Sequence, residues 1–139
     1  MYSPLMVNPM REELVAAGFL ELTTEHEVAG WPGKAEGTAL LVINSVCGCA
    51  AGMARPGVRA ALNEGGDGPD HLATVFAGVD REATAAARAL MPQVPPSSPS
   101  MALFKDGELV HFVPRHRIEG RTAEDVAQDL RAAFAEHCA

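Results

Sequence analysis

Cysteine is too scarce in this chain, three residues in 139, for a disulfide framework to hold the fold together. None is needed, because a chain of this length buries roughly two thirds of the surface it exposes when unfolded. That is enough for one core, and residues 1–139 are read as one domain. Aromatic residues are few, with five Phe, one Trp and one Tyr, and positive charge is short: 11 Lys and Arg against 18 Asp and Glu leave a formal net charge of −7. Without a basic cluster or stacking platforms, a nucleic-acid partner is not expected. No apolar run approaches the roughly 20 residues of a membrane span, and no basic segment precedes an apolar one at the N-terminus, so neither a membrane partner nor a secretory address is expected. The expected location is the cytoplasm, where a reducing environment keeps thiols available as reagents.

What is present concentrates in residues 38–56, TALLVINSVCGCAAGMARP. Ala39 to Ile43 are five apolar residues in a row, rich in β-branched types, the signature of a strand covered on both faces. After Cys47-Gly48-Cys49 the composition turns to Ala50, Ala51, Met53 and Ala54, which favour helix. Two thiols therefore fall where a buried strand hands over to a helix. The first N–H groups of a helix lack partners within it, and the macrodipole puts partial positive charge there, so a thiolate is favoured over a thiol. A stabilisation of about 1 to 2 kcal/mol moves a cysteine from about 8.5 to about 7. Gly48 adds no side chain to hinder an incoming sulfur or to restrict the turn.

Cys-x-Cys by itself admits three readings: redox-active, metal-binding, or unreactive and buried. Placement at a strand end favours the first. Zinc would need two further ligands, and the remaining candidates, Cys138, His26, His71, His111, His116 and His137, are scattered singly, so no metal site is expected. His111 and His116 are read as ordinary surface residues, and Cys138 as a spare thiol at a fraying terminus. Arg55 is read either as lending charge to the thiol turn or as a solvated residue on the outer face of the helix.

Elsewhere, Met1–Val7 is too short for an element and is expected to pack on the body, with Met6 and Met10 filling gaps in the core. Asn8 and Pro9 open a helix over residues 9 to 17, with Leu14 and Val15 on its buried side and Gly18 as its stop. Thr24 and Glu27 have capping-box spacing, and Trp31-Pro32-Gly33 ends the segment they start. Pro56 predicts a kink in the helix after the thiols. His71–Asp80 reads as a strand and Arg81–Leu90 as a helix, so strand and helix alternate twice, which predicts parallel strands with helices on both faces. Pro99 opens the strand Ser100–Phe104, Asp106-Gly107 turns it into Glu108–Val113, and Thr122 starts a last helix with Val126, Leu130 and Phe134 on one face.

This order resembles the thioredoxin fold, an α/β architecture with a central mixed sheet flanked by helices on both faces. More closely, the chain resembles the bacilliredoxins, a thioredoxin-like family marked by Cys-Gly-Cys. The resemblance runs through MYSPLMV, Pro9-Met10-Arg11, Glu13-Leu14, Glu21-Leu22-Thr23-Thr24, Ala35-Glu36-Gly37-Thr38, the block from Val42 to Gly52, Ala54-Arg55-Pro56 and Pro95-Pro96-Ser97-Ser98-Pro99-Ser100. It implies a thiol-disulfide oxidoreductase that removes bacillithiol, a low-molecular-weight thiol, from mixed disulfides on client cysteines. Cys47 is then the nucleophile and Cys49 the second, resolving thiol. No cofactor is implied, bacillithiol being a co-substrate; the partners are bacillithiol and the modified clients. It also implies a cis proline beside the thiols at Pro99, with the Ser98 backbone turned toward the client. General disulfide reduction or isomerisation, or carriage of a metal by Cys47 and Cys49 with Cys138 of a second chain, are the alternatives. Residues two apart span at most about 7 Å when extended, and a relaxed disulfide wants Cα atoms about 5.5 to 6 Å apart, so a Cys47–Cys49 bond requires a bent Gly48 and is expected to be strained.

Overall fold

All seven residues of the strand Thr38–Asn44 are buried, and the sheet is arranged around it. The structure, a computed structural model, describes residues 2–139. In chain order the elements are α1 (Pro4–Val15), β1 (Leu20–Glu21), α2 (Glu25–Ala29), β2 (Thr38–Asn44), α3 (Arg55–Asn63), β3 (His71–Phe76), α4 (Arg81–Ala89), β4 (Ser100–Lys105), β5 (Glu108–Val113) and α5 (Ala123–His137). Sheet order is β1-β3-β2-β4-β5. The pairs β1–β3 and β2–β3 are parallel, whereas β2–β4 and β4–β5 are antiparallel, which makes the expected mixed sheet.

Alternate residues of β2 feed two cores, because successive side chains of a strand point to opposite faces. Leu40 and Val42 join Leu14 of α1, Val58 of α3 and Val126, Leu130 and Phe134 of α5. Ala39, Leu41 and Ile43 join Val28 of α2, Trp31, and Ala83 and Ala87 of α4. Helices therefore cover both faces. Close approach of α3 to α5 depends on Gly57, where an added Cβ would lie 2.7 Å from the Val126 side chain. The last helix opens with a capping box in which Thr122 and Asp125 satisfy each other's backbone N–H. Asp106 and Gly107, at φ of 50° and 84°, form the tight turn between β4 and β5.

Several boundaries differ from the sequence reading. The first helix starts one turn early, at Pro4, with Ser3 as its cap; Pro9 lies inside it. Ser3-Pro4 and Asn8-Pro9 are both a capping residue followed by proline, and the earlier pair wins by adding a turn that buries Val7. Leu14 is buried as expected, but Val15 and Met6 are exposed. Thr24 accepts from the Glu27 N–H, while the Glu27 carboxylate reaches past it to the N–H and hydroxyl of Thr23. The strand expected over residues 71–80 ends at Phe76, and Ala77–Asp80 turns into α4. β1 was not expected at all; Arg11 ties its Glu21 to Asp80, at 3.2 and 2.7 Å, and lies over the Phe76 ring.

Candidate active site

Parallel strands β2 and β3 finish at the same end of the sheet, with Asn44 beside Phe76, and the Cys-Gly-Cys segment leaves β2 there. Asn44, the last residue of β2, is buried; its Oδ1 accepts from the Ser45 N–H at 2.9 Å and from Arg55 Nη1 at 2.8 Å. The same Nη1 donates to the Ser45 carbonyl at 3.0 Å, and Arg55 Nε donates to Glu13 at 3.0 Å. Arg55 is only 1% exposed. A solvated Arg55 is thus corrected: the guanidinium lies beneath the thiol turn and ties it to α1 and to the end of β2. Burying it is tolerable because its donors meet a carboxylate, an amide oxygen and a carbonyl.

From Ser45 the chain passes to the thiols in a set of short contacts. Ser45 Oγ accepts from the Cys47 N–H at 3.2 Å, and the Cys47 carbonyl accepts from Ala50 and Ala51 at 3.0 and 3.2 Å. Cys47 is thus the residue on which the following helix opens. Before Pro56, where a kink is expected, the helix widens into a π-helical turn over Ala50–Ala54, in which the Arg55 N–H bonds to the Ala50 carbonyl. Pro56 has no N–H to give and its ring crowds the preceding turn, and the wider spacing accommodates both.

Cys47 Sγ and Cys49 Sγ lie 2.7 Å apart, with Cys47 partly open to solvent and Cys49 buried at the edge of the α1/α3/α5 core. Their proton affinities diverge. The Cys49 thiol bonded to Cys47 holds the Cys47 thiol below the ordinary range against the opposing effect of burial, helped by the Cys49 N–H, the charge of Arg115 and the Ala50 N–H. Cys49 is pushed up by burial first, then by its bond to Cys47 and by the charge on that sulfur. Of the two sulfurs the more open one, Cys47, is therefore the first to ionise. Gly48 lies between them in the first helical turn, and an added Cβ there would meet nothing within 4 Å, so the approach above it is open.

A cleft of about 490 Å³ lies against this turn, with Tyr2, Cys47, Arg88, Ser98 and Arg115 among its lining residues. The Ser98–Pro99 bond is cis, and Pro99 is buried behind Ser98. Arg115 Nη1 donates to the Ser98 carbonyl at 3.4 Å, the Arg115 N–H to Ser97 Oγ at 3.3 Å, and its Nη2 pairs with Glu119 at 3.0 Å. Cys47, Gly48, Cys49, Ser98 and Pro99 are thus brought to one place. Arg115 is the residue that sequence reasoning missed. It sits in the short turn after β5, beside His116, and nothing in the local pattern marks it as facing the thiols. His111 departs from an ordinary surface histidine, being half-buried and 2.7 Å from Asp129 Oδ1. Cys138 packs beside Thr38 and Asp70, at the other end of β2, and burial raises its thiol. Seven strand residues, about 20 Å, separate that end from the thiol turn.

Solved structures to which this fold is similar include thioredoxins. A mutant thioredoxin from Halobacterium salinarum matches with a TM-score of 0.57 and 18% identity, covering 86% of this chain and 90% of that one. A thioredoxin from Arabidopsis thaliana, crystallised in its oxidised state, matches with a TM-score of 0.55 and 16% identity over 89% and 97% of the two chains. The family model described as "Disulphide isomerase" matches residues 2–138. Fold, thiol pair and family model define a thiol-disulfide oxidoreductase of the thioredoxin-like class. Among curated proteins, a bacilliredoxin from Bacillus cereus is 53% identical over 99% of this chain and 95% of its own length, and one from Shouchella clausii is 56% identical over 99% and 94%. The chain belongs to the bacilliredoxin family.

Proposed function

We propose that this protein removes bacillithiol from mixed disulfides on client cysteines, with Cys47 as nucleophile. The relatives' name points to that small thiol, and the observation that carries the reading is a pair of free thiols 2.7 Å apart where β2 gives way to a helix, with Cys47 partly open to solvent and Cys49 buried. Cys47 thiolate attacks the bacillithiol sulfur; the client sulfur leaves as thiolate and takes a proton from water, and bacillithiol stays on Cys47. A second bacillithiol attacks that adduct and leaves as bacillithiol disulfide, restoring Cys47. Alternatively Cys49 gives up its proton and attacks Cys47 Sγ, releasing reduced bacillithiol and closing a Cys47–Cys49 disulfide that two equivalents of a small thiol reopen. The Ser98 backbone pairs with an extended client segment, Pro99 holds that backbone in place, and Gly48 leaves room for the incoming disulfide. The reaction belongs in the cytoplasm, where small thiols are kept reduced. No helix among the described residues is long and apolar enough to cross a membrane.

A test uses a client peptide carrying bacillithiol on one cysteine. Wild type and Cys49→Ala release it with excess bacillithiol if a second molecule clears the adduct; loss of turnover in Cys49→Ala assigns clearing to Cys49. Full activity of Cys47→Ala contradicts the assigned nucleophile. General disulfide reduction or isomerisation is the second reading, favoured by the family model's description and by the closeness of the two sulfurs. Scrambled disulfides turned over faster than the bacillithiol adduct would select it. The metal-carrier alternative needs Cys138 of another chain, because within one chain it sits at the far end of β2; zinc retained in native mass spectra would favour it.

A further inference from the structure

The cleft beside Cys47 is lined by an arginine that has no ion-pair partner. Among the described residues the arginines with no carboxylate within ion-pair distance are Arg59, Arg81 and Arg121, all exposed to water, and Arg88, which is half-buried. Arg88 Nε is buried and has no hydrogen-bond partner among the described residues. In a chain of net charge −7, acidic partners are plentiful, yet this guanidinium has none. A buried N–H left without an acceptor is costly unless something completes it. Arg88 stands at the end of α4 and lines the same cleft as Cys47, Ser98 and Arg115. Arg115 gives Nε and Nη2 to Glu119 and Nη1 to the Ser98 carbonyl, whereas Arg88 Nε has no acceptor among the described residues.

We propose that Arg88, with Arg115 as supporting charge, forms an anion subsite that takes a carboxylate of the small thiol in the mixed disulfide. The cleft's volume of about 490 Å³ lies within the range of roughly 300–1,000 Å³ found for small-molecule sites. A carboxylate seated there offsets the repulsion that the Cys47 thiolate would otherwise exert on an anionic substrate, and it holds the small-thiol sulfur, rather than the client sulfur, in line for attack. This inference rests on the reading that Cys47 attacks the small-thiol sulfur. The covalent step is unchanged: one S–S bond forms at Cys47, one breaks to the client, and the client thiolate is protonated by water.

The test uses one client peptide blocked in turn by 3-mercaptopropionate, 2-mercaptoethanol and cysteamine, short arms ending in a negative, a neutral and a positive group. Release by the protein, at low salt, is divided by release from the same adduct with dithiothreitol. The normalised kcat/KM is expected to fall in the order carboxylate, hydroxyl, amine, with about tenfold between the first two. Arg88→Gln should bring that ratio close to one and Arg88→Lys should keep part of it, both with a native far-UV spectrum and melt. In the wild type the ratio should shrink as salt shortens the Debye length from about 10 Å at 0.1 M to about 3 Å at 1 M. Equal normalised rates in the wild type, or a preference that survives in folded Arg88→Gln, overturns the subsite while leaving the Cys47 chemistry standing. Should Arg88→Gln fail to fold, a salt-insensitive wild-type ratio overturns it instead. Release of no adduct, or equal release by Cys47→Ala, overturns the underlying reading and the subsite with it.

Discussion

Replacing Arg55 with alanine removes the guanidinium that joins Glu13, Asn44 and Ser45 beneath the thiol turn. The losses can be taken one by one. Glu13 has a third of its side chain exposed and regains water, so its loss is small. Asn44 Oδ1 keeps the Ser45 N–H. The Ser45 carbonyl loses the donor that Arg55 gave it, at about 1 to 3 kcal/mol for a buried unpaired group. Loss of the side chain's packed stem adds a cavity, bringing the total to about 3 to 4 kcal/mol. With an unfolding entropy of about 2.1 cal/mol/K per residue over 139 residues, that lowers Tm by about 10 to 14 °C. Arg55→Met fills the space without the donors and should lose about 1 kcal/mol less. Thermal melts by circular dichroism, with urea unfolding to check that m is unchanged, measure both. A drop below about 3 °C for Arg55→Ala, or a methionine variant more stable than wild type, would mean that the desolvation cost of the buried charge outweighs what it holds together.

Three further outcomes follow from the same geometry. Cys49→Ala removes the donor that most lowers the Cys47 thiol, so the pH at which Cys47 is half-alkylated should move up and its rate at neutral pH should fall severalfold; an unchanged profile would leave the helix amides and Arg115 as the causes. Arg115→Gln should also move that midpoint up, and because Arg115 is exposed, added salt should narrow the gap from wild type. Gly57→Ala drives a Cβ into the Val126 side chain between α3 and α5 and should destabilise the fold by about 2 kcal/mol, read in urea; a neutral effect would mean that the two helices slide apart freely.

Much of this molecule was legible in the sequence because its strongest signals are local. Five consecutive apolar residues mark β2, Asp106-Gly107 marks the hairpin, and Thr122 with Asp125 marks the start of α5, each by backbone chemistry that needs no distant partner. The thiol pair was legible for the same reason, since its reactivity follows from standing where a strand gives way to a helix. Other features depend on what folding brings together. β1 is two residues long and exists only through its pairing with β3, so no periodicity announces it. Two proline-preceded starts compete for α1, and only packing of Val7 decides between them. Arg55 looks like a surface residue until Glu13, Asn44 and Ser45 close around it. Arg115 reaches the cleft beside Cys47 only because β5 returns beside β4 and delivers the following turn to Ser98.

Cys47 must be the more readily ionised of the two paired sulfurs, and its alkylation rate across pH, read peptide by peptide by mass spectrometry after iodoacetamide, tests that most directly. The thiolate reacts, so a depressed proton affinity makes the rate plateau at lower pH. The account predicts a Cys47 midpoint below the ordinary thiol value of about 8.5, with Cys49 and Cys138 labelled only at higher pH. A Cys47 midpoint at or above about 8.5, or labelling of Cys49 before Cys47, would contradict it.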